Sequence, residues 1–116
     1  MSPAFRLELS PRLRIIADQV PPGARMADVG SDHGLLPLYL LSRDRIPSAI
    51  ATDIHAAPLD RGRQAAVEQG MEDRVSFRLC DGLAAVLPEE VDAIAIAGMG
   101  GETIAGILNA AAWSRE

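Results

Sequence analysis

Leu13, Ile16, Ala17 and Val20 recur at i, i+3, i+4 and i+7, the spacing that lines one face of a helix. Ser10-Pro11 ahead of them reads as an N-cap with proline in the first helical position, and Pro21-Pro22-Gly23 behind them stops the helix. The pattern then changes. Arg25 to Val29 is a short apolar run that predicts strand one, and Leu35 to Ser42 is a dense apolar run that predicts helix two, with Pro37 tolerable because it lies in the first turn. Strand two is expected over Ala49 to Thr52, ending at Asp53, and a third helix opens near Pro58, runs through Val67 and closes at Gly70. Val75, Phe77 and Leu79 alternate with Ser76, Arg78 and Cys80, the two-residue period of a strand. A short helix over Leu83 to Leu87 ends at Pro88. Ala93 to Ala97 is a continuous β-favouring run suited to a strand buried on both faces, and Glu102 to Ala112 predicts a last helix.

The order α-βα-βα-βα-βα predicts an α/β fold of the Rossmann-like kind, a mostly parallel sheet with helices on both faces and right-handed crossovers. Four strands make half of a doubly wound sheet, so strand four is expected to be an edge with a partly uncovered apolar face. Another chain, or a C-terminal continuation of this one, would have to cover it.

Composition narrows the picture. The 116 residues fit one domain, and 48% hydrophobic with 23% charged is an ordinary globular balance. The longest apolar stretches fall far short of the ~20 residues that span a bilayer. No membrane partner is expected. The N-terminus lacks a signal-like apolar core, and Cys80 is the only cysteine, which rules out an intramolecular disulfide and makes no case for a metal cluster; the chain reads as cytoplasmic. A net charge of −5 argues against a wide nucleic-acid surface on this segment. All 11 cations are arginine, and Arg12 with Arg14 is the one pair read as a possible polyanion patch against the default of solvated helix faces.

The chemistry gathers at strand ends. Asp28-Val-Gly-Ser-Asp-His-Gly34 is a glycine-punctuated acidic turn between strand one and helix two, the place where a nucleotide lies in such folds. A dinucleotide fingerprint would need glycines at 30, 32 and 35, so that a pyrophosphate can approach bare amides. This chain has Gly30, Asp32 and Leu35. A carboxylate there repels phosphates and attracts a cofactor carrying an ammonium and a sulfonium, which is S-adenosyl-L-methionine. Asp53, 19 residues beyond Gly34, has the spacing of a strand-two acid that accepts ribose hydroxyls, and Asp81-Gly82 after strand three is placed for the adenine amino group. Any one of these acids alone could be a solvated loop aspartate. Acids at successive strand ends make that default a poor account.

Met26-Ala-Asp-Val-Gly-Ser-Asp-His33 with Leu36-Pro37, then Asp81-Gly82-Leu83, then Ile96-Ala-Gly-Met-Gly-Gly101 resembles the TrmK family of tRNA methyltransferases, which form 1-methyladenosine at tRNA position 22. The likeness runs from Leu9 to about Leu108. It implies a class I methyltransferase fold in which Asp28, Gly30, Ser31 and His33 meet the methionine end of the cofactor. Asp53 and Ile54 would then meet the ribose, Asp81 and Gly82 the adenine, and Ala97 and Gly98 the reacting end. Met99, Gly100 and Gly101 form the loop on the substrate side. Family members continue into further strands and a helical extension that helps grip tRNA, so residues 1–116 read as the N-terminal cofactor-binding part, cut after strand four and its helix, with only weak tRNA binding of its own.

Methyl transfer to N1 of neutral adenine needs no strong base, since the lone pair is already exposed. Positive charge develops on the base, and Asp32 is the carboxylate best placed in sequence to stabilise it. The loop Ala97-Gly-Met-Gly-Gly101 has no side-chain acceptor, which weighs against methylation of exocyclic amines. Cys80, Tyr39, Met99 and Trp113 are read first as packing residues. The alternatives are a noncatalytic S-adenosyl-L-methionine-binding module, a methyltransferase with another substrate and, third, an NAD-dependent oxidoreductase, disfavoured by Asp32.

Overall fold

The computed structural model describes residues 11–30, 35–96 and 106–109. They form helix α1 (Pro11–Gln19), strand β1 (Met26–Val29), helix α2 (Leu35–Ser42), strand β2 (Ala49–Asp53), helix α3 (Ala56–Glu68), strand β3 (Val75–Leu79), a 3₁₀ turn at Pro88–Glu90, strand β4 (Ala93–Ile96) and strand β5 (Gly106–Asn109). The sheet order is β3-β2-β1-β4-β5. β1 lies between β2 and β4, parallel to both, with Met26 level with Ala49 and Ala93. β3 extends the parallel ladder on the far side of β2.

Alternation along the central strands builds two cores. Met26, Ala49, Ala93 and Ala95 face one way and pack with Ile16, Ala17 and Val20 of α1, Leu36, Leu38, Leu40 and Leu41 of α2, and Ala66 of α3. Ala27, Ile50 and Ile94 face the other way and pack with Val86 and Val91, which flank the 3₁₀ turn. The three α-helices therefore share one face, and among the described residues the segment before β4 covers the other. α2 is apolar all round because it is buried between α1 and the sheet. Its Pro37 is fully buried in the first turn, as the sequence required.

Helix ends follow local chemistry. α3 closes in a Schellman arrangement, in which the Met71 amide donates to the Ala66 carbonyl (2.8 Å) and the Gly70 amide to that of Val67 (3.1 Å). Gly70 takes the left-handed conformation this requires, φ +70°. α2 closes in the same way over Leu40 and Leu41, with Asp44 at φ 55° in the glycine position.

Four expectations are corrected. Residues 106–109, placed in a last helix by the sequence, form β5, antiparallel to β4 with Ala93 opposite Asn109; the rest of that predicted helix lies outside the described residues. In consequence β4 is an interior strand, and among the described residues the edges are β3 and β5. Residues 83–85 are turn and 86–87 have no regular structure, where a helix was expected, because five residues between Gly82 at φ +59° and Pro88 are too few to repay helix nucleation. The alternation read into β3 also fails at its end: Val75 is buried but Leu79 is 58% exposed, as befits an edge strand. Ser10, the predicted N-cap, lies outside the described residues. No described helix is long and apolar enough to cross a membrane.

Arginines tie the amino ends of the strands. Arg25, just before β1, pairs with Asp92, just before β4, through Nε to Oδ2 (3.0 Å) and Nη2 to Oδ1 (2.9 Å), and also donates to the Glu89 carbonyl. Arg45 donates twice to the Val20 carbonyl (3.0 and 2.8 Å) and once to that of Asp18 (3.2 Å), covering the end of α1. Arg74, just before β3, reaches the carbonyls of Ile46 and Pro47 ahead of β2. Arg78 of β3 makes a two-pronged pair with Glu90 (2.8 Å each). The guanidinium of Arg78 holds the Glu90 carboxyl down at about 2, and that of Arg25 does the same for Asp92.

Candidate functional site

The chain leaves β1 toward β2 and β3 on one side and returns to β4 on the other, so strand order reverses between β1 and β4. The crevice outside the carboxyl ends of these strands is where open α/β sheets bind ligands. Asp28 is the third residue of β1, level with Ala51 and Ala95, and is buried at 2% exposure. Gly30 follows at φ +71°, and its amide donates to the Thr52 carbonyl (3.0 Å), so the β1 turn is fastened to β2 at its first residue.

Asp53 is the last residue of β2 and is 7% exposed. Its Oδ1 accepts the His55 amide at 2.9 Å and lies 3.4 Å from His55 Nδ1. This is an Asx turn, in which an aspartate bonds the backbone two residues on. The Asp53 carbonyl accepts the Cys80 amide (2.9 Å), which fastens the end of β3 to β2. Ile54 presents an exposed apolar side chain beside it. After β3, Asp81 is exposed, its carbonyl accepts the Ala84 amide (3.1 Å), and Gly82 turns the chain at φ +59° with open space where a Cβ would stand.

Of the residues singled out from sequence, Asp28, Gly30, Asp53, Ile54, Asp81 and Gly82 thus lie at or just beyond the carboxyl ends of three adjacent strands. Ser31, Asp32, His33, Ala97, Gly98, Met99, Gly100, Gly101 and Trp113 lie outside the described residues. Cys80 is half-buried, its thiol 3.5 Å from the Gly82 carbonyl, in keeping with packing. Tyr39 packs against the helix-side core, with the Arg43 guanidinium 4.4 Å above its ring. Arg14 is exposed. His55 was not anticipated, although Asp-x-His at a strand end carries the Asx-turn spacing that would have found it.

A mostly parallel sheet with buried carboxylates and a left-handed glycine at its switch point defines a nucleotide-binding α/β domain. The chain belongs to the methyltransferase-domain family, which it matches over residues 9–116. It is 43% identical over 104 residues to the tRNA (adenine(22)-N(1))-methyltransferase of Bacillus subtilis (strain 168), covering 90% of this chain and 44% of that one. The crystal structure of B. subtilis TrmK superposes with a TM-score of 0.78 at 42% identity, over 83% of this chain and 41% of that chain. A Streptococcus pneumoniae protein solved in complex with S-adenosyl-L-methionine gives 0.75 at 40% identity, over 81% and 44%. The resemblance to the TrmK family read from the sequence motifs is borne out by these likenesses. The chain spans less than half the length of each of these relatives.

Proposed function

We propose that this chain carries the S-adenosyl-L-methionine site of a tRNA adenine-N1 methyltransferase. The observation that carries the reading is the pair of buried carboxylates, Asp28 and Asp53, on the adjacent strands β1 and β2 toward their carboxyl ends. Such a pair suits a cofactor with cationic groups and a ribose diol. Asp53, held by the His55 amide, accepts the ribose hydroxyls, with Ile54 beside the sugar. The open turn at Asp81-Gly82 receives the adenine, its amino group donating to Asp81. Asp28, Gly30, Ser31 and His33 hold the methionine end, and Ala97 and Gly98 border the reacting end.

The cofactor, when bound, supplies a methyl group on a sulfonium. The protein's contribution is alignment of the methyl group with the incoming base. Met99, Gly100 and Gly101 are the residues we assign to the substrate side. Asp32 stabilises the positive charge that develops on the ring as N1 is alkylated. The tRNA is gripped chiefly by sequence that the relatives carry beyond the matched segment.

S-adenosylhomocysteine at a hundredfold excess over its dissociation constant is expected to raise apparent stability by about 2.7 kcal/mol, and NAD to leave it unchanged. No thermal shift and no heat of binding would sink the cofactor reading. For the substrate, the chain fused to the remaining C-terminal part of the B. subtilis relative should methylate unmodified tRNA, with 1-methyladenosine identified in the nucleoside digest. N6-methyladenosine or 5-methylcytidine instead would overturn the substrate and leave the cofactor site standing.

A further inference from the structure

We propose that His55 is a positioning residue for Asp53, and that its protonation state sets how strongly Asp53 accepts hydrogen bonds from the cofactor. The inference rests on the cofactor reading above and adds a control to the same site. Two groups of His55 converge on one oxygen: the backbone amide at 2.9 Å and the ring Nδ1 at 3.4 Å from Asp53 Oδ1. His55 is also the N-cap residue of α3, yet its side chain makes no capping hydrogen bond to the helix. The ring turns back to the carboxylate instead.

The chemistry follows from that geometry. A bare Nδ1 lone pair facing a carboxylate oxygen is repulsive, so Asp53 favours the ring form that carries a proton on Nδ1. The amide and the ring both bear on Oδ1, which leaves Oδ2 as the oxygen not engaged by His55. Side-chain exposure differs sharply across the pair, 68% for His55 against 7% for Asp53. The ring can therefore exchange protons with solvent while the oxygen it touches is sheltered. Imidazole is the side chain whose charge ordinarily changes between about pH 5 and 8. An imidazolium beside Oδ1 draws on the negative charge that ribose hydroxyls need, and the carboxylate becomes a poorer acceptor. Other titratable or charged groups on the described elements around the pair are Asp28 of β1, Cys80 and Asp81 after β3, and Asp60, Arg61 and Arg63 of α3, while Asp32 and His33 lie outside the described residues. Asp60 and Arg63 are paired with each other at 2.8 Å. His33 is the chain's other histidine and must be separated from His55 by the test.

The test is calorimetric titration with S-adenosylhomocysteine at about pH 8 and about pH 5.5, on the wild type and on His55→Gln, which cannot take up a proton. Wild-type affinity is expected to fall by about two- to fivefold at the lower pH, the range of an exposed ion pair. His55→Gln should bind with nearly equal affinity at both. A fall that survives in His55→Gln belongs to another group, His33 first, and overturns the proposal, as does a flat wild-type profile. Failure of the cofactor reading looks different, since the wild type would then not bind at about pH 8 either. A second measurement needs no ligand. In the free protein the Asp53 carboxyl carbon resonance should shift between about pH 8 and about pH 5.5 and lose that shift in His55→Gln; a shift that survives in the variant, or no shift in the wild type, excludes the coupling whatever the calorimetry gives.

Discussion

The two ends of the sheet use charge in opposite ways. At the amino ends of the strands, arginines 25, 45 and 74 are spent on backbone carbonyls and on Asp92 and Asp44, joining segments far apart in sequence. At the carboxyl ends, Asp53 is held by an amide and an imidazole rather than a guanidinium. An acid paired to arginine has its acceptor capacity filled and its charge cancelled. One oriented by a neutral amide keeps its charge for a ligand. One end of the molecule is thereby stabilised, and the other is left chemically competent.

Substitutions at each end should separate these roles. The largest effect on ligand binding is expected from Asp53→Ala, which should weaken S-adenosylhomocysteine binding by about 1.5 to 3 kcal/mol, the scale of hydrogen bonds to a charged group, with a smaller loss of unfolding stability from the freed His55 amide. Equal affinities for variant and wild type would erase the contrast. Arg45→Ala should do the reverse. Uncovering the Val20 carbonyl at the end of α1 should cost about 1 to 3 kcal/mol in urea unfolding and leave the affinity alone.

The smallest effect is in the acid range. Glu90 and Asp92 are lowered from 4.5 and 3.8 to about 2, so the folded state binds protons less readily than the unfolded chain. Their stabilisation is present above those ordinary values and is lost as pH falls from there toward about 2. Both pairs are solvent-accessible, so the slope is shallow. Urea midpoints measured down this range should show it flatten further in Arg25→Ala and Arg78→Ala; an unchanged slope would mean that these clamps are electrostatically idle.

What could be read from the sequence was what is decided locally. α2 has its expected bounds because a dense apolar run can only be buried, and Gly70 ends α3 as expected because the Schellman turn needs a left-handed residue. Asp28, Gly30, Asp53 and Asp81 stand at strand ends as expected, since strand and turn signals are short-range. β5 was missed because Gly-Ile-Leu-Asn becomes a strand only by pairing with β4, a partner that no local period announces. The Arg25 clamp was hidden for the same reason, its partner Asp92 lying 67 residues away. His55 lay two residues beyond Asp53 in the sequence, but that its ring turns back to the carboxylate instead of capping α3 is decided by the folded geometry.

The amides of Gly30 and Cys80 each bond across to β2 one step past the end of their own strand. Every loop that bears on the crevice from this side therefore departs from a fixed point. A substitution beyond those two anchors can thus change how the cofactor is gripped without disturbing the frame that presents it.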